Sequence, residues 1–142
     1  MSATDTIDAA PPGIALRASL WIAQGVAFFF FSGIGAMKLL TPIPKLSETV
    51  HWAAQYSETF VRIIGCIDLA GGLGILLPAL TRIKPGLTVA AALGCTVLQI
   101  FAIAFHVSRG EGDVLPLNLV LLTLSAFVLW GRARKARIRP RA

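Results

Sequence analysis

Long apolar runs alternate with short polar breaks along this chain, and the breaks mark out four spans. The first runs from about Ser19 to Leu40 and stops at Thr41-Pro42-Ile43-Pro44, because proline cannot continue a helix. The second runs from about Phe60 to Leu80, and the third from about Leu87 to Val107 after the turn TRIKPG. A polar turn from Ser108 to Asp113 precedes the fourth, from about Val114 to Trp130. A helix that crosses a hydrocarbon core needs about 20 apolar residues. The pattern therefore predicts an all-α fold, a bundle of four transmembrane helices.

Polar residues inside the spans follow helical steps of three and four. Gln24, Phe28, Phe31, Gly35 and Lys38 share one stripe, and Gly65, Asp68, Gly71 and Gly72 another. Cys95, Gln99, Ala102 and His106 form a third, and Asn118, Leu122 and Ser125 a fourth. The glycines around Asp68 allow close helix approach and turn it toward the bundle. A carboxylate at that depth is costly and marks either a site or an ion pair.

Composition agrees with a membrane domain. The 142 residues are 56% hydrophobic and 14% charged, against about 25% charge in soluble proteins. The net charge of +6 does not point to nucleic acid, because six of the thirteen basic residues fall in the last eleven positions. Such a tail after a span suits anionic headgroups and the cytoplasmic charge bias. With both termini cytoplasmic, nine basic residues fall inside and four outside. Residues 1–18 then read as a flexible tail without a signal peptide's basic start, residues 19–131 as the membrane domain, and 132–142 as a basic cytoplasmic tail.

In that orientation Lys38, Asp68, His106 and Asn118 converge on the outer half of the bilayer, with Gln99 on the stripe of His106. Asp68 pairs with Lys38 or His106, in a structural or a functional role. Lys38 alternatively snorkels to the headgroups, His106 caps its helix, and Asn118 joins helices. Arg62 at the rim is best read as snorkelling. The inner half, apart from Gln24 and Ser125, reads as almost wholly apolar. His51 and His106 lack metal-ligand spacing, so no metal site is expected. Cys66 and Cys95 lie at different depths and read as two buried small residues, without a disulfide. The loop SETVHWAAQYSE predicts a short surface helix with Ser47 as N-cap and with Trp52 and Tyr56 one turn apart. That helix reads as an interfacial anchor, with a lid on the membrane surface as the alternative.

The motifs Ser32-Gly33-Ile34-Gly35-Ala36-Met37-Lys38-Leu39 and Phe60 to Pro78, the third span ending in His106, and Leu115-Pro116-Leu117-Asn118 resemble the DoxX-like family of small four-helix membrane proteins. The resemblance covers about residues 19–134. Asp68 stands where the family usually carries Glu. Placement in a bacterial inner membrane follows from the resemblance, as does a role as a subunit or binding module of a membrane redox system. A quinone is the cofactor it implies, beside a membrane or periplasmic redox partner. Fold resemblance does not itself assign function. An enzyme using acid–base chemistry on a lipid-like substrate, a small dimeric transporter, and an assembly protein without ligand stay open, as does homo-oligomerisation.

Overall fold

Each predicted span becomes a helix, and the loops add short turns. A computed structural model describes residues 11–142. Helix α1 runs Ile14–Leu40 and the short α2 Ile43–Leu46, followed by a 3-10 turn at His51–Gln55. Helices α3 (Glu58–Thr81) and α4 (Gly86–Ser108) follow. A 3-10 turn at Gly112–Val114 leads into α5 (Leu115–Trp130), which continues as a π-helical segment, Gly131–Lys135. Among the described residues there is no strand, and four of these segments are long and apolar enough to cross a membrane. The tail expected over residues 1–18 lies outside the described residues as far as residue 10, and α1 already begins at Ile14.

Local chemistry explains where the helices start and stop. Pro42 follows the end of α1, where the Thr41 N–H donates to Met37 O. Ser57 caps α3, its hydroxyl accepting from the Phe60 N–H at 3.2 Å, with Glu58 in the first turn. Ser47 is not the N-cap of a loop helix. It ends α2, and its hydroxyl donates back to Pro44 O at 2.8 Å.

The helices close in the order α1, α3, α4, α5, with α1 lying most extensively against α3. Glycine makes that crossing possible. A Cβ on Gly35 would come 2.6 Å from Leu69 N and 2.8 Å from Gly65 O, both backbone atoms. The core behind this seam joins Ala27, Phe31, Ile75, Ala92, Cys95 and Leu121. Outside it the bundle is apolar as well: Phe29 and Phe101 are 69% and 70% exposed. That surface suits lipid and not water.

Two expectations change here. Cys66 is exposed on the outer surface of α3 while only Cys95 is buried, so the two face apart and both thiols are free. The end of the bundle expected to be apolar is not. Arg132 folds back from the tail, 5% exposed, and its Nε donates to Gln24 Oε1 at 2.8 Å. Gln24 in turn donates to Ile75 O at 2.7 Å.

Candidate functional site

At the other end of the bundle, Lys38 on α1 meets Asp68 on α3. Nζ lies 2.6 Å from Oδ2, and both side chains are buried. The close α1–α3 crossing brings the two side chains together: a Cβ on Gly65 would touch Lys38 Cβ at 2.8 Å. Aspartate, a short acid, reaches its lysine because the backbones nearly touch. His106 is therefore not the partner of Asp68.

His106 instead turns outward to the loop beyond α4. Its Nδ1 lies 2.6 Å from Glu111 Oε2, and Arg109 Nε donates to Glu111 Oε1 at 2.8 Å. Nδ1 facing a carboxylate carries the proton, which leaves Nε2 as the free nitrogen of neutral histidine. The hydrogen bond from His106 holds the Glu111 carboxyl below the usual carboxylate range, and Arg109 adds to this. A lowered folded-state value means that the contribution to stability is complete above the ordinary glutamate value of about 4.3. It is lost as pH falls through the lowered value. Thermal unfolding in detergent should show an acid limb there, and Glu111→Gln should flatten it. An unchanged acid limb in that variant would assign the pH dependence elsewhere.

Arg62, expected to reach for the head groups, is engaged by the protein itself. One of its nitrogens donates to the carbonyls of Lys38 and Thr41, and another pairs with Glu58 at 3.0 Å. It thereby ties the C-terminal end of α1 to the first turns of α3 and holds the Lys38 backbone in place. Trp52 likewise departs from the expected interfacial anchor. It is 9% exposed, and its ring lies 5.5 Å from Lys38 Nζ, in cation–π range. Its edges meet Phe105, Tyr56 and Phe60 at centroid distances of 5.9, 6.0 and 6.2 Å. Together with buried Leu46 and Ala53, it folds the α1–α3 connection over the ion pair as a lid.

Beneath this lid is a cavity of about 360 Å³. Lys38, Asp68, Gln99, His106 and Asn118 all line it, from all four long helices. Its remaining wall is apolar and aromatic, with Phe31, Trp52 and Phe105 among the liners. Phe101 and Leu117 also line it and are exposed on the outside of the bundle, so the cavity reaches the lipid-facing surface between α4 and α5. Gln99 is buried, and its Oε1 has no hydrogen-bond partner. Asn118 Nδ2 is used locally, donating to Val114 O at 3.0 Å. Among the described residues no three His, Cys, Asp or Glu side chains are grouped as metal ligands.

Sequence reasoning missed Glu111 and ranked Trp52 as an anchor before a lid. Glu111 carried a readable signal: an acid five residues after a histidine at a helix end, with Arg109 between. For Trp52 the sequence offers no way to choose, since an aromatic in a loop suits an interface and a lid equally.

No curated protein and no solved structure matches the chain. Residues 22–128, which contain every liner of this cavity, match the sequence profile of the DoxX-like family. Covering most of the chain and all four membrane-spanning segments in whole or large part, that match establishes that the chain belongs to the DoxX-like family.

Proposed function

We propose that this multi-pass membrane protein is a binding module of a membrane redox system, holding a quinone- or lipid-like head group in the cavity beneath Trp52. Gln99 carries the reading. Its buried Oε1 lines the cavity without a partner, and such an orphan costs about 1–3 kcal/mol. The hydroxyl of a reduced quinol or of a lipid head group would satisfy it, since a quinone carbonyl has no proton to donate.

Lys38 supplies the complementary group. An ammonium has three donors; Asp68 accepts one, and the others suit a ring carbonyl. Asp68 then serves as the positioning residue that keeps Lys38 charged and aimed. His106 Nε2 and Asn118 complete the polar side. Aromatic walls suit a flat ring, and an isoprenoid tail would leave past Phe101 and Leu117 into lipid. Loop charges support an outer position for this end, in the bacterial inner membrane on this reading. A bound quinone would exchange electrons with a membrane or periplasmic partner protein.

Mass spectrometry of small molecules extracted from the detergent-purified protein tests this. An isoprenoid quinone or one defined lipid should accompany wild type. Gln99→Leu, still folded, should retain about tenfold less, the loss of roughly one hydrogen bond. Equal retention by both proteins would remove the cavity as the binding site. The His106–Glu111 pair favours one second reading, an enzyme acting on a lipid-like substrate with His106 Nε2 as general base. Turnover of an added polyprenyl substrate by the purified chain alone distinguishes it.

A further inference from the structure

The Arg132 end of the bundle holds a buried positive charge that no carboxylate among the described residues balances. The Arg132 guanidinium donates from Nε to Gln24 Oε1 at 2.8 Å and from Nη1 to Ala136 O at 3.1 Å. Both acceptors are neutral. The group also stacks 4.7 Å from the Trp21 ring centroid. Its Nη2 is buried and has no partner among the described residues. Among the described residues, no carboxylate lies within ion-pair distance of Arg132, and nearby Arg17 adds like charge. An unpaired buried cation is costly enough that proteins pair it almost without exception.

A second orphan lies beside it. Thr88, in the first turn of α4, is 1% exposed, and its Oγ1 is also buried without a partner. Arg132 and Thr88 line a common cavity of about 420 Å³, with Gly86, Val89 and Arg137. The α4 N-terminus there has no side-chain cap, so the positive end of its dipole is unanswered. A Cβ on Gly86 would meet nothing within 4 Å, which leaves room against that terminus. The chain beyond the cavity is tied back to the end of α3, where the Arg82 carbonyl accepts from the Arg141 N–H at 2.9 Å.

A buried cation, an unused hydroxyl donor, a helix N-terminus and a second arginine meet in one pocket. We infer that this cavity binds a phosphate group, presented by a lipid head group or as the free anion. Arg132 Nη2 and Thr88 Oγ1 donate to its oxygens, and Arg137 faces it from the mouth. Guanidinium suits such an oxyanion in charge and geometry. Arg132 lies outside residues 22–128, the part of the chain that matches the family, and the inference is independent of the cavity beneath Trp52.

Thermal unfolding of the full chain in mild detergent, titrated with phosphatidylglycerol, phosphatidylcholine or inorganic phosphate, tests it. Phosphatidylglycerol should raise Tm saturably and phosphatidylcholine should not. Inorganic phosphate competing for the same saturable shift would identify the free anion as sufficient; no effect of phosphate would identify the lipid head group. Thr88→Val conserves volume and should weaken the response about tenfold. Arg132→Gln, which also removes the uncompensated charge, should abolish it. Absence of a saturable shift with either phosphatidylglycerol or phosphate would overturn the inference. So would an undiminished shift in both variants, which would reduce the effect to general attraction between a basic surface and anions.

Discussion

Asp68→Ala should lower the unfolding free energy by about 3–5 kcal/mol, the range for breaking a buried ion pair from one side. The reason is Lys38. Its ammonium sits 2.6 Å from the Asp68 carboxylate under the Trp52 ring, with both side chains largely shielded. Without the carboxylate, that cation stays buried with no other acid in ion-pair range among the described residues: Glu58 is engaged by Arg62, and Glu111 by His106 and Arg109. Lys38→Met should cost a similar amount by stranding the carboxylate. Replacing both, Lys38→Met with Asp68→Leu, should recover most of the loss, because two apolar side chains of similar volume need no mutual neutralisation. Denaturant unfolding of the four proteins in one detergent gives the coupling directly. Additive losses would show that the pair is open to solvent and contributes little. The same double variant separates stability from function: it should fold and yet retain no quinone- or lipid-like ligand, because the donor is gone.

The second large effect is expected at Gly35. Overpacking a well-filled interior costs about 1–3 kcal/mol, and Gly35→Val should reach or exceed the top of that range. The first added carbon already falls 2.6 Å from Leu69 N and 2.8 Å from Gly65 O. Those are backbone atoms of α3, so no side chain can swing aside. The helices must separate, and Lys38 and Asp68, one turn from Gly35 and one residue from Leu69, separate with them. The expected result is a lowered unfolding midpoint together with loss of the co-purifying ligand. Gly33→Val supplies the contrast, since a Cβ there meets nothing within 4 Å; it should leave both readouts close to wild type. Equal effects at the two positions would mean that the α1–α3 crossing is not set by glycine contact.

Much of this protein is legible in its amino-acid order. The four spans, their proline and glycine stops and the membrane setting all follow from local physics, because a bilayer demands a run of apolar residues whatever its neighbours do. Small residues beside Asp68 place that carboxylate on a helix seam, since only a close crossing needs them. Helical steps of three and four likewise put Lys38, Gln99, His106 and Asn118 on inward stripes, and all four line the same cavity as Asp68.

Pairing is a different matter. Periodicity reports which face of a helix a residue occupies, but not how far each helix is rotated or how a loop returns. Asp68 therefore suits Lys38 or His106 equally by pattern. The α1–α3 contact brings Lys38 within reach, and the turn after α4 gives His106 its own acid in Glu111. Trp52 becomes a lid because the α1–α3 connection folds inward over an ion pair whose position no residue of that connection encodes. Arg132 reads along the chain as one more charge in a basic tail. Only the continuation of α5 as a π-helical segment brings it back to Gln24, 108 residues earlier in the chain. Entry into the membrane is thus written in the chain, because hydrophobicity acts residue by residue and needs no partner. Which buried charges find a partner within the protein is settled by the packed bundle, because it depends on ångström distances between helices that lie far apart along the chain.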